Sequence, residues 1–177
     1  MEETPTHFDL VTRCREGRRE AQFELYRLYS RAMYNTALRM LQNAHDAEDV
    51  LQSVFMEVFL KIDSFRFEST LGSWIKRITI NKCINFLKAR RLNIKELTAG
   101  FDREEPDPGG DYEPAYSVDS VNRAISALPD GYRVVFSLYA IEGYDHEEIA
   151  QILQISEATS KSQYSRAKAK LRSALQS

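Results

Sequence analysis

Apolar residues recur along this chain at the three- and four-residue spacing of helices that bury one face. The clearest run follows Ala47 and consists of Val50, Leu51, Val54, Phe55, Val58, Phe59 and Ile62. The outer face that this run leaves to solvent holds Asp49, Gln52, Ser53 and Met56. Alternating β-branched runs, which are typical of strands, are few, so the pattern predicts an all-α fold.

Further helical patterns lie on both sides of a segment that has few aliphatic residues. Before it, we expect a helix over 20–41, through Phe23, Tyr26, Leu28, Tyr34, Leu38 and Leu41, and another over about 72–91. After it, the apolar spacing predicts helices over 117–127, 131–141, 145–153 and 156–175. The chain is therefore expected to form two small helical modules.

The segment 98–117 between the modules concentrates the chain's helix-breaking residues. Its glycines and prolines are Gly100, Pro106, Pro108, Gly109, Gly110 and Pro114. One cation, Arg103, stands against six acids, which are Asp102, Glu104, Glu105, Asp107, Asp111 and Glu113. This composition predicts a flexible linker between domains at 1–97 and 118–177.

Composition and cysteine placement narrow the class of protein. Lys and Arg number 24 and Asp and Glu 26, so the formal charge is -2, which argues against a uniformly basic surface. Cys14 and Cys83 are far apart and lack a Cys-x-x-Cys partner, so we expect neither a disulfide framework nor a zinc ribbon. No stretch of 18 apolar residues occurs, and no basic leader precedes an apolar run. We expect a cytoplasmic protein that is not inserted in a membrane.

The second module contains the pattern of a helix-turn-helix. Asp145 and Glu148 have the spacing of a capping box at the start of a short helix. After a turn at Gln154 and Ile155, Ser156 is a suitable N-cap for a longer helix. Two helices across a tight turn are typical of a module that places its second helix in the major groove of DNA.

The second of these helices is basic. Its apolar spacing predicts a buried face of Ser160, Tyr164, Ala167 and Leu171, and an outward face of Thr159, Ser162, Ser165 and Arg166. Five cations and no acid occur from 161 to 172, namely Lys161, Arg166, Lys168, Lys170 and Arg172. A solvated basic helix end explains such a run by itself, but the helix-turn-helix context favours DNA. Lysines would contact phosphates, and the candidates for base edges are Thr159, Ser162, Gln163 and Arg166.

The first module carries an acidic helix. Residues 42–57 include no Lys or Arg and four acids, Asp46, Glu48, Asp49 and Glu57. Carboxylates repel DNA, so this helix is expected to bind a protein with a basic surface. Acids that complement the dipole of a helix N-terminus explain the pattern equally well.

A metal site in this acidic helix is a weaker hypothesis. His45 precedes the acids, but no second Glu-x-x-His cluster completes a di-metal bundle site. His146 and Glu147 likewise lack the second histidine of a zinc protease motif. We therefore predict no catalytic residue, metal ligand or cofactor.

The next helix of the first module is basic and follows a group of aromatic residues. From 69 to 95 there is no acid, and the cations are Lys76, Arg77, Lys82, Lys88, Arg90, Arg91 and Lys95. Phe65, Phe67 and Trp74 lie before or at its start. Aromatic rings among cations suit single-stranded nucleic acid, where stacking contributes about 1–3 kcal/mol per base. Trp74 is equally compatible with an ordinary core position.

Three segments resemble the extracytoplasmic-function (ECF) group of bacterial sigma factors. They are DAEDVLQSVFMEVF at 46–59, FRFESTLGSWIKRITINKCINFLKARR at 65–91, and the stretch from ALPDGYRVVF to SRAKAKLR at 127–172. The resemblance covers nearly the whole chain except the linker, and the motifs occur in the family's order. It implies a non-enzymatic transcription-initiation factor that keeps only sigma regions two and four.

The resemblance also implies which residues contact each partner. The surface that docks the clamp helices of the polymerase largest subunit would be Asp46, Glu48, Asp49, Val50, Gln52, Ser53 and Met56. The minus-ten element would be recognised and opened by Phe65, Arg66, Phe67, Ser69, Thr70, Ser73, Trp74, Lys76, Arg77, Asn81 and Lys82. The minus-thirty-five duplex would be contacted by Thr159, Lys161, Ser162, Gln163, Ser165, Arg166, Lys168 and Lys170. Further implied partners are the flap of the second-largest subunit and an anti-sigma factor.

The chain departs from the family pattern at three positions of the helix-turn-helix. Gln154 stands where a glycine is frequent, Ser160 where a valine-like residue is frequent, and Gln163 where an arginine is frequent. Gln pairs with adenine whereas Arg prefers guanine, so Gln163 suggests altered base recognition. Two other interpretations remain: a stand-alone helix-turn-helix regulator, and a helical-bundle enzyme based on carboxylates.

Overall fold

The computed structural model describes residues 7–90 and 116–176. These residues form eight α-helices and no β-strand, which confirms the all-α prediction. The chain divides into two compact units, Met1–Leu87 and Lys88–Ser177. Nearly all of the predicted linker lies outside the described residues, so its flexibility and the domain boundaries stay predictions.

The first unit contains four helices. They are α1 (His7–Arg15), α2 (Arg19–Leu41), α3 (Ala44–Lys61) and α4 (Leu71–Ala89), with a 3-10 turn at Ile62–Ser64 after α3. Helix α2 packs against both α1 and α3. Helix α1 was not predicted, because its buried residues Leu10, Val11 and Cys14 span too few turns to give a periodic signal.

Helix α2 has nearly its predicted bounds, but its buried face differs from the predicted set of large residues. Phe23 and Leu28 are 62% and 55% exposed. Leu41 is buried as predicted, and the rest of the core face is formed by Ala21, Leu25, Met33, Thr36, Ala37 and Met40. Which face of α2 is buried is decided by the helices on either side of it, and the size of its own side chains is a poor guide.

Helix α3 confirms the predicted amphipathic pattern. Asn43 caps its start, because the Asn43 side-chain oxygen accepts a hydrogen bond from the Asp46 backbone N–H at 3.1 Å. Val54 and Val58 are fully buried. On its flank, the Glu57 carboxylate lies 2.7 Å from the Lys82 ammonium of α4 and 2.6 Å from that of Lys61. The two lysines lower the pKa of Glu57. Because Lys82 belongs to α4, its ion pair with Glu57 links α4 to α3.

The second unit is built around its last helix. It contains α5 (Val118–Ser126), α6 (Asp130–Phe136), α7 (His146–Leu153) and α8 (Glu157–Gln176), and α6 continues into a π-helical segment at Ser137–Ile141. Helices α5, α6 and α7 all pack on α8. Part of the core is formed by Ala124, Ile125, Leu128, Ala167 and Leu171. The predicted helices are confirmed, with ends that shift by one or two residues.

The predicted caps of the helix-turn-helix are also confirmed. Asp145 and Glu148 form both hydrogen bonds of a capping box. Ser156 accepts a hydrogen bond at its hydroxyl from the Thr159 backbone N–H at 3.0 Å. Between the helices, Gln154 has a left-handed backbone with φ 57°. These local features fix where α7 ends and α8 begins.

Candidate nucleic-acid interface

The exposed side of α3 is polar and acidic. The residues exposed there, called here the α3 face, are Glu48, Asp49, Gln52, Ser53 and Met56. Two residues of the predicted docking set are not part of it, because Asp46 and Val50 are only 7% and 4% exposed. They lie on the core side of α3, each two residues before an exposed pair.

The loop between the 3-10 turn and α4 contains a cluster of aromatic rings. The Phe65 ring lies 4.7 Å from that of Phe67 and 5.2 Å from that of Trp74, measured between centroids. Phe65 is 3% exposed, which corrects its predicted role as a ring open to a base. Trp74 is half-buried, whereas Phe67 is 39% exposed. Phe67 is therefore the loop ring that solvent reaches.

Helix α1 holds this loop in place. Phe67 has φ 60°, a left-handed backbone that bulky residues rarely adopt. The Arg15 guanidinium donates hydrogen bonds to the carbonyl oxygens of Ile62 and Phe65 and lies 5.6 Å from the Phe67 ring centroid. The Phe8 ring also packs against Phe67, with the two ring centroids 5.2 Å apart. Sequence reasoning missed Phe8 and Arg15, because nothing local connects them to a loop 50 residues later.

The predicted minus-ten residues of the loop and of α4 differ in how accessible they are. Thr70 and Ser73 bond to each other at the start of α4, with Oγ atoms 2.8 Å apart, and Lys82 is held by Glu57. The exposed polar members are Arg66, Ser69, Thr70, Ser73 and Asn81. Lys76 and Arg77 are half-buried. The accessible polar groups thus lie in the loop that carries Phe67 and along α4.

Helix α8 presents most of its predicted minus-thirty-five residues. The exposed ones are Lys161, Ser162, Ser165 and Lys170, and the half-buried ones are Thr159, Arg166 and Lys168. The Lys161 ammonium lies 2.6 Å from the Glu157 carboxylate, and the Lys168 ammonium lies 5.1 Å from the Tyr164 ring centroid. Contacts within the helix thus hold two of the cations near its surface.

Gln163 corrects the predicted set of base-reading residues. Its side chain is fully buried, on the same face of α8 as Ser160 and Ala167. Among the described residues, neither amide atom of Gln163 has a hydrogen-bond partner. A buried amide cannot contact a base edge, so the expected preference for adenine loses its basis. The periodicity had placed Tyr164 on this face, but Tyr164 is only half-buried.

An unpredicted aromatic cluster surrounds His146 at the start of α7. The imidazole stacks on Tyr139 of the π-helical segment, with centroids 4.3 Å apart and planes 15° apart, and it meets the edge of Tyr164. Its Nδ1 lies 2.9 Å from the Ser160 hydroxyl of α8. Burial, and next the nearby Lys161 ammonium, lower the pKa of His146, and the carboxylates of Glu157 and Asp145 oppose that shift.

The described residues show neither a metal cluster nor a membrane-spanning helix. No three His, Cys, Asp or Glu side chains within 7–90 and 116–176 are grouped so that they could hold a metal ion. In the same ranges, every helix is too short or too polar to cross a bilayer. Cys14 and Cys83 are buried free thiols, and burial raises the pKa of Cys83 to about 12.

Two sequence families match the two units in the expected order. The family described as Sigma-70 region 2 matches residues 25–92, and Sigma-70, region 4 matches residues 119–171. ECF RNA polymerase sigma factor SigE of Mycolicibacterium smegmatis is 31% identical over 84% of the chain and 59% of SigE. SigM of Bacillus subtilis, also named an ECF RNA polymerase sigma factor, is 30% identical over 84% of the chain and 91% of SigM.

Solved structures share the fold. The sigma factor RpoE of Bartonella quintana, in complex with the anti-sigma factor NepR, has a TM-score of 0.58 and 24% identity over 86% of this chain and 95% of RpoE. CnrH, in complex with the cytosolic domain of CnrY, has a TM-score of 0.56 and 24% identity over 94% of this chain and 95% of CnrH. The sequence families define the class of protein, which is that of the sigma factors. The chain belongs to the ECF RNA polymerase sigma factors, and it directs transcription initiation.

Proposed function

We propose that the α3 face docks on the clamp helices of the polymerase largest subunit, and that the other two surfaces bind promoter DNA. The observation that carries this proposal is the separation of charge. The α3 face exposes Glu48 and Asp49 but no Lys or Arg, whereas α4 carries four cations and no acid, and α8 carries five cations and one acid. A protein partner with a basic surface fits the α3 face, and nucleic acid fits the basic surfaces of α4 and α8.

At the minus-ten element, the Phe67 loop would bind an unpaired base. Phe67 offers a partly exposed ring, and it packs on Phe65, which also contacts the half-buried Trp74. Arg66 and Ser69 in the loop and Asn81 on α4 are exposed polar groups. Stacking on an unpaired base is possible only when the strands are apart, so this surface favours the open form of the promoter. No catalytic step is needed, and the proposal includes no enzymatic activity.

At the minus-thirty-five element, the N-terminal half of α8 would lie in the major groove. Ser162 and Ser165 are exposed, and their short side chains would let the helix come close enough for their hydroxyls to contact base edges. Thr159 and Arg166 lie near them in the sequence. Lys161, Lys168 and Lys170 would contact phosphates. Gln163 is not included, because it is buried.

Further partners are proposed by likeness to the relatives. RpoE and CnrH were solved with an anti-sigma factor and with the cytosolic domain of CnrY, respectively, so an anti-sigma factor that covers these surfaces is proposed here too. The second unit would also contact the flap of the second-largest polymerase subunit. Because polymerase and promoter are its partners, the chain would act in the cytoplasm.

Run-off transcription with purified core polymerase on a genomic promoter library tests the proposal. We expect the chain to form a holoenzyme and to initiate at a set of promoters that share two elements. Core enzyme without the chain is the control. A free chain that binds duplex operators tightly but does not associate with core polymerase would instead support a stand-alone helix-turn-helix regulator.

A further inference from the structure

One hydrogen bond joins the two helices of the helix-turn-helix across 14 residues of sequence. His146 begins α7, and its Nδ1 lies 2.9 Å from the Oγ of Ser160 in α8. Ser160 is fully buried, so its hydroxyl needs a partner inside the protein. Ser160 is also one of the positions where the chain departs from the family pattern, and His146 supplies the partner that a valine would not require.

The imidazole is itself fixed by its surroundings. Tyr139 stacks on one face of the ring, at 4.3 Å and 15°, and the Tyr164 ring lies 5.7 Å away in an edge-on arrangement. Tyr139 belongs to the π-helical segment, and π-helical turns frequently occur at functional positions. The His146 ring is thus held by Tyr139 in the segment before α7 and by Ser160 and Tyr164 in α8.

We propose that the His146–Ser160 pair is a positioning device that fixes the rotation of α8 about its own axis and hence the direction of its base-reading side chains. Ser160 lies between Thr159 and Lys161, which belong to the proposed minus-thirty-five surface. Apolar contacts tolerate a small rotation of a helix, whereas a directional hydrogen bond at a buried position does not. Reading a base edge requires side chains that are held within about 10–20° of the orientation in which they contact the base. The inference therefore rests on the proposed function of α8.

The bond does not depend on one tautomer of the ring. In the neutral ring, Nδ1 either accepts a hydrogen bond from the Ser160 hydroxyl or donates one to it. The charged groups around the ring are Lys161 and Glu157 on α8 and Asp145 before α7, with the phenols of Tyr139 and Tyr164 on the two packed elements. Burial, and next the Lys161 ammonium, lower the pKa of the imidazole and so favour its neutral form.

The test compares four variants as holoenzymes on one promoter chosen by run-off transcription. The variants are His146→Phe, Ser160→Ala, the double variant His146→Phe with Ser160→Val, and Ser173→Ala. The last makes the same chemical change as Ser160→Ala at an exposed position of α8. The measured quantity is the specificity ratio, which is the affinity for the intact promoter divided by the affinity for the same promoter with a scrambled minus-thirty-five element.

We expect His146→Phe and Ser160→Ala each to lower the specificity ratio about tenfold, while binding to the scrambled promoter and its salt dependence stay unchanged. The double variant replaces both partners by apolar groups and should recover the ratio to within about threefold, because no buried polar group is left alone. Ser173→Ala should behave as wild type. A purely structural role would lower thermal stability without selective loss of the ratio.

Three outcomes would overturn the inference. They are an unchanged ratio in Ser160→Ala, a double variant no better than His146→Phe, and equal losses on both promoters. If His146→Phe folds poorly by circular dichroism, Ser160→Ala against Ser173→Ala decides the question alone. A wild-type holoenzyme with no preference for the intact minus-thirty-five element would overturn the proposed function of α8 as well, so the two failures are distinguishable.

Discussion

Within residues 7–90 and 116–176, three residues that are not glycine have a left-handed backbone. Gln42, Phe67 and Gln154 all have φ between 54° and 60°. The two glutamines end α2 and α7, where their backbone N–H groups donate to the carbonyls of Leu38 and Ala150. A left-handed residue at a helix end satisfies carbonyls that would otherwise lack partners. Phe67 has no such role, and the rings of Phe8 and Phe65 hold it instead.

Replacing Gln154 by glycine should stabilise the second unit. Glycine adopts the left-handed region without the Cβ clash that a glutamine incurs, so the free energy of unfolding should rise by about 1 kcal/mol. Chemical denaturation followed by circular dichroism measures the change. The matched control is Gln151→Gly within α7, where glycine should lower the stability by about 1 kcal/mol. Equal effects of the two substitutions would contradict the prediction.

His146 should make the stability of the second unit depend on pH. Its pKa is lowered in the folded protein, so below its ordinary value of about 6.5 the unfolded chain binds a proton more readily than the folded one. The free energy of unfolding should therefore be highest above that value and should fall as the pH drops towards the folded pKa.

The His146→Phe variant separates this effect from other titrations. In this variant, the free energy of unfolding should lack the part of its decrease that His146 causes between roughly pH 7 and pH 5, the range in which a histidine titrates. Thermal unfolding at closely spaced pH values measures the difference. Identical pH profiles for the variant and wild type would show that the environment of His146 does not perturb its titration.

Each helix carries two faces with different tasks. In α3, the core side is built from Val50, Val54 and Val58, and the α3 face is left open for a partner. In α4, the Lys82 ammonium pairs with the Glu57 carboxylate of α3, so this cation stabilises the packing of the two helices. In α8, the face that holds Ser160, Gln163 and Ala167 is fully buried, and the basic side faces solvent.

Charge reversal on the α3 face should weaken docking on polymerase. Asp49→Lys places a cation opposite the basic surface expected on the partner, and affinity for core enzyme should fall by about tenfold or more. A pull-down of core polymerase measures it. Glu20→Lys reverses an exposed charge at the start of α2, away from the α3 face, and is the control. Comparable pull-down by the two variants would argue against this docking surface.

On the scale of the whole chain, opposite charges are kept on separate segments. The formal charge is only -2, yet acids dominate 42–57 and 98–117, while 69–95 and 161–172 contain cations and no acid. An average near zero therefore conceals surfaces suited to different partners. Under the proposed function, this arrangement would let one small chain bind both a protein and nucleic acid without a uniformly basic surface.

The acidic segment 98–117 should weaken non-specific binding of DNA by the free protein. Its six acids are Asp102, Glu104, Glu105, Asp107, Asp111 and Glu113. Changing all of them to the matching amides removes repulsion from phosphates, so non-specific affinity should rise about threefold or more at low salt. Fluorescence anisotropy with a random duplex measures it. The gain should shrink at high salt, and equal affinity at low salt would refute the prediction.

The helices, their caps and the separation of charge were determined by the sequence itself. Apolar spacing gave α2, α3, α4 and the helices of the second unit, and Asp145 and Ser156 marked helix starts, because these features depend on neighbours within about one turn. The same locality explains why the motifs sufficed to recognise the family.

The tertiary structure alone decided which predicted residues are accessible. Burial of Asp46, Phe65 and Gln163, and the contacts that bring Arg15 to the Phe67 loop and His146 to Ser160, depend on residues that are distant in sequence. A side chain's exposure is a property of every element packed around it. Spacing within one helix therefore predicts a periodic pattern, but it does not predict which neighbours cover each face.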